Sequence, residues 1–302
     1  MAPYSIVVVT WQSAGELLRL AESMNRHLDG RHELVVVDNA SSDGPTNAAR
    51  AWKGERRFIA LDRNAGFGVA ANAGTEAARY PAIVLLNPDC ELLDSSLDRL
   101  VDVALARCAL AGPRLLNSDG SIQPSASGPP VGVWPWIGAV VPGAIQPPPV
   151  RARTEPWRLE RTTRVAWLTG ACVAAPRGVL RELGPFDPAI HLYGEDMDLG
   201  LRAAGAGVAS WFCPDVCSVV HSGGASATAL DSEDREYRVA TNRRAVLARA
   251  YGRRREKAAW LAHRANLRLR LASKHALGRD AAREAATLRA VRRAPVARLG
   301  AF

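Results

Sequence analysis

The 302-residue chain is 48% hydrophobic, enough to bury a full core, and carries a net charge of +9. Its five cysteines, odd in number and without a CxxC pair, argue against a disulfide framework and against a zinc ribbon. No apolar run approaches the roughly 18 residues of a membrane span, and the opening MAPYSIVVVT lacks the basic start of a secretory signal, so a cytoplasmic location is expected.

Tyr4 to Val9, Glu33 to Val37, Arg57 to Leu61 and Ala82 to Leu86 read as short strands, with helix-like patterns between them. This alternation predicts an α/β fold: a Rossmann-like, mostly parallel sheet with helices on both faces. Ser13 followed by Glu16 predicts a capping box on the first helix. The segment Ile83 to Glu91, IVLLNPDCE, ends a buried strand in a turn bearing Asp89 and Glu91. That turn is either ordinary or placed to hold a metal or a phosphate.

Between Asn117 and Arg164 the pattern changes. Nine prolines from Pro124 to Pro156 leave room for few regular elements. With Trp134, Trp136 and Trp157, the stretch reads as a mobile flap bearing aromatic rings, its contact with substrate left open. Order returns at Val165 to Ala174. GPFDP (Gly184 to Pro188) and the acidic cluster GEDMDLGLR (Gly194 to Arg202) follow, then a strand at Val208 to Phe212. The run Val216 to Val220 ends in His221 before SGGAS, and Cys213 and Cys217 read as buried small apolar residues. The division expected is a main domain over 1–230, containing the flap at 117–164, and a basic helical extension over 231–302.

The extension holds most of the charge. From Glu233 onward there are 19 Lys and Arg against 6 Asp and Glu, a balance of +13, which leaves −4 for residues 1–232. An acidic main fold argues against nucleic acid as the partner. Within the extension, arginines alternate with Val239, Leu247, Tyr251, Trp260, Leu261, Leu267 and Leu271 at loosely helical spacing. Such helices either lie on an anionic membrane surface, here the inner face of the plasma membrane, or pack on the main domain or on the twin subunit of a homodimer.

Four features fall at strand ends: Thr10-Trp11, Asp38-Asn39, Arg63-Asn64 with Gly66 and Gly68, and Asn87 to Glu91. In a parallel sheet all four share the edge where a nucleotide binds. Gly66 to Ala71 also fits G-x-G-x-x-A. The polar Asp62-Arg63-Asn64 separates it from its strand, however, and the first turn has no such glycines, so hydride chemistry is disfavoured. In the acidic cluster, Glu195 and Asp196 are expected just before a helical turn, free to act as a general base, with Asp198 inside that turn as a cap. His221 is either structural or, with Asp89, part of a mixed oxygen and nitrogen ligand set, which Mn²⁺ tolerates and Mg²⁺ less often shows.

Seven segments together resemble one family. They are SIVVVTW at the first strand, VVVDNASSDG (Val35 to Gly44), RNAGFGVAANAG (Arg63 to Gly74), LLNPDCEL (Leu85 to Leu92), GPFDP, YGEDMDLGLR and VVHSGGAS. From about Tyr4 to Ser226 the chain resembles the inverting GT-A-fold glycosyltransferases of family 2, in their bacterial rhamnosyltransferase-like branch. The resemblance implies a nucleotide-sugar pocket formed by Thr10, Trp11, Asp38, Asn39, Arg63, Asn64, Gly66 and Asn87, with Asp38 accepting from the pyrimidine ring. It makes Asp89, the last acid of a DxD, and His221 the protein ligands of a divalent cation, Mn²⁺ or Mg²⁺, that holds the sugar diphosphate. Asp196 becomes the catalytic base, with Glu195 positioning the acceptor.

The implied activity is transfer of a sugar from a nucleotide-diphospho-sugar donor, dTDP-rhamnose first, to a lipid-linked or glycan acceptor in cell-envelope assembly. Another donor, such as a galactofuranose or hexose nucleotide, and a non-catalytic binding subunit are the alternatives. The chain departs from the family pattern at three places: Asn87 replaces the first acid of the DxD, Gln12 replaces an Asn, and Ile190-His191 replaces an aromatic pair.

Overall fold

The computed structural model describes residues 2–184, 186–223, 232–278, 280–297 and 299. Part of the GPFDP and SGGAS motifs, namely residues 185 and 224–226, and the expected domain boundary at 230 therefore lie outside the described residues.

The predicted strands form close to where the apolar runs fall: β1 (Ser5–Thr10), β2 (Glu33–Asp38), β3 (Arg56–Ala60) and β4 (Ala82–Leu86), joined through α1 (Ala14–His27), α2 (Pro45–Ala49) and α3 (Phe67–Ala77). Every residue of β1, β2 and β4 is buried, as a strand covered by helices on both faces requires. All four run parallel, with Thr10 aligned to Asp38 and Asp38 to Ala60, so their carboxyl ends emerge on one edge as expected.

The chain continues through β5 (Cys90–Leu92), α4 (Ser96–Arg107), β6 (Leu110–Gly112), β7 (Arg114–Leu116) and β8 (Ala126–Ser127). After α5 (Trp134–Val140) and α6 (Pro148–Thr154) come β9 (Thr163–Val165), β10 (Trp167–Leu168), β11 (Cys172–Pro176), α7 (Arg177–Leu183), α8 (Glu195–Gly205), β12 (Ser210–Phe212) and β13 (Ser218–His221). Eight strands form the main sheet in the order β3-β2-β1-β4-β11-β6-β12-β9. Successive side chains along a strand point to opposite faces, so each central strand feeds two cores. Ile6, Val8, Leu34 and Val36 pack with Leu17, Leu20, Leu97 and Leu100 of α1 and α4. Val7, Val9, Val35 and Val37 pack with Ala70 and Ala71 of α3, Leu180 of α7 and Leu199 of α8.

A small second sheet, β5-β13-β7, matters for the site. β13 runs antiparallel to β5 with His221 opposite Cys90, which brings His221 beside Asp89 although 131 residues separate them in sequence. Cys213 and Cys217 are buried as expected.

Two local expectations are corrected. The Ser13 hydroxyl does not cap α1, because it shares a 2.8 Å hydrogen bond with Thr10 Oγ1. The cap comes from the next loop instead, where Asp43 Oδ2 accepts from the Ala14 amide at 2.7 Å. The stretch 117–164 is not devoid of regular structure either. Pro135 falls in the first turn of α5, and Pro148 and Pro149 open α6, positions where a missing N–H costs nothing.

The described C-terminal residues form α9 (Ser232–Tyr251), α10 (Arg253–Ala276) and α11 (Ala282–Arg293). Their apolar side chains are largely used within the protein. Trp260, Leu267, Leu288 and Val291 make one core, while Val246 and Leu247 join Ile190, Met197 and Leu201 in another. The second core mixes residues from both sides of position 230. α5 docks on α10, where Asn266 Nδ2 donates to the Gly138 carbonyl at 2.9 Å.

Candidate active site

A cavity of about 360 Å³ opens at the carboxyl edge of the parallel strands. Of the residues singled out from sequence, Trp11, Asn39, Asn64, Gly66, Asn87, Asp89, Glu195, Asp196 and His221 line it. Three do not. Thr10 is fully buried against Ser13, Asp38 accepts from the Ser41 amide and hydroxyl at 3.2 and 2.5 Å, and Arg63 is exposed. No residue of 117–164 lines it, and Glu91 pairs with Arg19 at 3.8 Å instead.

One wall carries Asp89 and His221. His221 Nε2 lies 3.4 Å from Asp89 Oδ1, and the Asn87 amide sits 3.4 Å from the same nitrogen. The other ring nitrogen, Nδ1, is 2.9 Å from Gln123 Oε1. Gln123 Nε2 donates to the His221 carbonyl at 2.6 Å and to Asn117 Oδ1 at 2.7 Å, which fixes the amide with its oxygen toward the ring. In the neutral imidazole, Nδ1 therefore carries the proton and the Nε2 lone pair faces the Asp89 carboxylate. Two acceptors face each other, an arrangement that a cation relieves. The residues present thus fit a divalent ion, with an orienting partner behind the imidazole of the kind metal-bound histidines have. Among the described residues no group of three or more His, Cys, Asp and Glu side chains forms a complete protein cage.

The lining also carries the carboxylate pair. α8 begins at Glu195, so Glu195 and Asp196 occupy its first turn rather than preceding it. Asp196 Oδ1 accepts from the Met197 amide at 2.6 Å and Oδ2 from the Gly170 amide at 3.3 Å. Burial pushes both carboxyls up, and the adjacent Asp196 charge helps drive Glu195 to about 8. The Glu195 Oε2 atom has no hydrogen-bond partner among the described residues. The amides favour ionised Asp196, leaving the pair with one negative charge near neutral pH and the proton on Glu195. Asp198 is not a cap: its side chain is buried, bonded to Arg202 Nε at 2.8 Å and to Arg249 Nη2.

The loop between GPFDP and α8 closes the cavity. A Cβ on Gly66 would lie 2.4 Å from the His191 carbonyl, and one on Gly68 would lie 2.8 Å from Phe186 Cβ. The G-x-G pattern therefore serves close packing of α3 against this loop, whose His191 carbonyl accepts from the Phe67 amide at 3.0 Å. Tyr193 and Gly194 both adopt left-handed backbone, at φ 69° and 104°. Asn242 of α9 holds that turn by donating to the carbonyls of Leu192 at 3.1 Å and Tyr193 at 2.8 Å.

Sequence reasoning passed over Gln123, Tyr193 and Arg238. Arg238 and Tyr193 line the cavity, and Gln123 stands behind His221. The aromatic-Gly-acid order of YGED could have drawn attention to Tyr193. Gln123 and Arg238 have no local signature, since each acts across a long stretch of chain.

The sequence profile of Glycosyl transferase family 2 matches residues 5–139. The N-acetylglucosaminyl-diphospho-decaprenol L-rhamnosyltransferase of Mycobacterium tuberculosis is 30% identical over 237 residues, covering 72% of this chain and 75% of that protein. The chain belongs to glycosyltransferase family 2. Among solved structures, the mannosyltransferase PcManGT of Pyrobaculum calidifontis, in complex with GDP-Man and Mn²⁺, superposes with a TM-score of 0.60 at 17% identity over 96% of this chain and 86% of its own. GalNAc-T7, solved with UDP, GalNAc and Mn²⁺, gives 0.55 at 19% identity over 78% of this chain, which spans about half, 47%, of that protein. These likenesses show the GT-A fold. The protein is a family 2 glycosyltransferase, and no helix among its described residues is long and apolar enough to cross a membrane.

Proposed function

We propose that this glycosyltransferase moves L-rhamnose from dTDP-rhamnose to an N-acetylglucosaminyl-diphospho-polyprenol acceptor in cell-envelope assembly, with inversion. The observation that carries the chemistry is one cavity joining a cation-ready pair, Asp89 and His221, to a carboxyl pair, Glu195 and Asp196, that shares one negative charge. The sugar and the acceptor are supported by the likeness to the mycobacterial rhamnosyltransferase.

In this reading the nucleotide lies along the strand edge. Trp11, Asn39, Asn64 and Gly66 wall its pocket, Asp38 beside Asn39 accepts from the pyrimidine ring, buried Thr10 acts through Ser13, which lines the cavity, and exposed Arg63 flanks Asn64. Asp89 and His221 hold the divalent cation, and their mixed donors suit Mn²⁺ better than Mg²⁺. When bound, that ion supplies Lewis-acid stabilisation to the departing diphosphate. Asp196, its carboxylate pinned by two amides, takes the proton of the acceptor hydroxyl as the new C–O bond forms and the bond to the diphosphate breaks. Glu195, protonated near neutral pH, donates a hydrogen bond to the acceptor. One in-line displacement inverts the anomeric centre.

A panel of nucleotide sugars, followed by thermal shift with Mn²⁺ or EDTA, tests the donor assignment. At a hundredfold excess over Kd a ligand stabilises by about 2.7 kcal/mol, a shift of several degrees. The largest shift is expected with dTDP-rhamnose and Mn²⁺, and Asp89→Ala should abolish its Mn²⁺-dependent part. A larger response to a galactofuranose or hexose nucleotide would overturn the donor. Indifference of the shift to both EDTA and Asp89→Ala would overturn the metal site.

A peripheral position on an anionic membrane also follows from the acceptor, with α5 as a docking element beside the basic C-terminal helices. Val133, Trp136 and Val140, at i, i+3 and i+7, are 56%, 38% and 59% exposed, and Ile145 beyond them is 72% exposed. The helix beneath them, α10, carries exposed Arg268 and Arg270. An apolar stripe backed by arginines suits an anionic interface. The protein should float with phosphatidylglycerol vesicles, and Val140→Asp should release it; equal flotation with purely zwitterionic vesicles would remove the electrostatic part.

A further inference from the structure

α9 presents Arg235, Arg238, Asn242 and Arg249 at i, i+3, i+7 and i+14, one face of a helix. The lower part of this face is structural: Arg249 joins Asp187 and Asp198, and Asn242 holds the Leu192–Tyr193 turn. Its upper part reaches the cavity. Arg238, itself exposed, is the one guanidinium among the described lining residues, which also include Tyr193 and Glu195. Arg235, one turn further along the same face, pairs with Glu236 at 3.9 Å. Arg249 and Arg244 each meet a buried carboxylate, whereas Arg238 makes no salt bridge among the described residues.

Arg238 stands four residues before Asn242, which grips the turn leading into Glu195 and Asp196, so this exposed cation enters the cavity beside the carboxylate pair. We infer that Arg238, supported by Arg235, forms an anion subsite for the diphosphate of the acceptor, so that α9 selects diphosphate-linked lipids over uncharged glycans. This subsite rests on the functional reading above. The chemistry fits: a guanidinium offers paired donors to phosphate oxygens, and a diphosphate anchored there leaves the acceptor sugar beside Glu195 and Asp196.

The test uses the full chain and two probes, farnesyl-diphospho-GlcNAc and octyl-GlcNAc. Wild type should prefer the diphosphate probe in kcat/KM. Arg238→Ala should cut that preference about tenfold and Arg238→Lys less, as expected for loss of one charge-assisted contact. Both variants should keep the donor-induced thermal shift, which reports an intact fold. Unaltered discrimination in Arg238→Ala, or a rise in donor KM instead, would overturn the subsite. Should wild type transfer to neither probe, the proposed reaction fails separately. Calorimetric binding of farnesyl-diphospho-GlcNAc then decides, since Arg238-dependent binding supports the subsite and Arg238-independent binding removes it.

Discussion

Asp196→Asn is expected to lower kcat by a factor on the order of 10² to 10⁴, the range that loss of a general base produces. Donor binding by thermal shift should stay close to wild type, because Asp196 contacts the Gly170 and Met197 amides and not the Asp89 wall. Turnover within threefold of wild type would sink the assignment. The pH profile provides a second check. Asp196 must be ionised to take a proton, and burial raises it, so the acid limb of kcat/KM lies above the usual carboxylate range. Glu195 is pushed up to about 8 and donates only while protonated, so activity should fall as pH rises through about 8, and Glu195→Gln should flatten that limb. Stability moves the same way. A carboxyl raised from 4.5 in the unfolded chain to about 8 contributes fully below 4.5 and loses that contribution as pH climbs through about 8. Glu195→Gln should therefore be more stable than wild type at pH 9.

Arg249→Met is expected to destabilise the protein by about 3 kcal/mol, measured by urea denaturation, with a fall in melting temperature of roughly 6 to 12 °C. Arg249 Nη1 donates to Asp187 Oδ2 at 2.6 Å and Nη2 donates to Asp198 Oδ1, and both carboxylates are buried. Removing the cation strands Asp187 and leaves Asp198 to Arg202 alone, and Met keeps most of the volume. Adding Asp187→Asn and Asp198→Asn to the same chain should recover part of the loss, since isosteric neutral groups no longer need the guanidinium. A change below about 1 kcal/mol in the single variant would mean that water already screens these charges.

The parallel half of the fold was legible because its information is local. Buried strands read as unbroken aliphatic runs, and the residues closing them, Trp11, Asn39, Asn64 and Asp89, reach the cavity as their strand-end positions predict. What escaped depends on contacts between distant segments. Asp43 caps α1 from another loop and leaves Ser13 to Thr10, so a local capping signature pointed to the wrong oxygen. Asp198 reads as a cap because one of its two partners, Arg249, lies 51 residues away. The prolines of 117–164 were weighed as helix breakers, although those in α5 and α6 sit in first turns, where proline is at home. Gln123 sets the His221 tautomer across 98 residues, with nothing nearby to announce it.

The fastening of α9 to the loop before α8 has a bearing on inheritance. Asn242 grips the Tyr193 turn, and Arg249 ties Asp187 to Asp198, so the acceptor-side wall is half loop and half helix. A substitution on either half alters the fit of the other. Residues 186–202 and 232–249 should thus drift together between relatives as one cassette, while the donor edge of the sheet changes at its own pace.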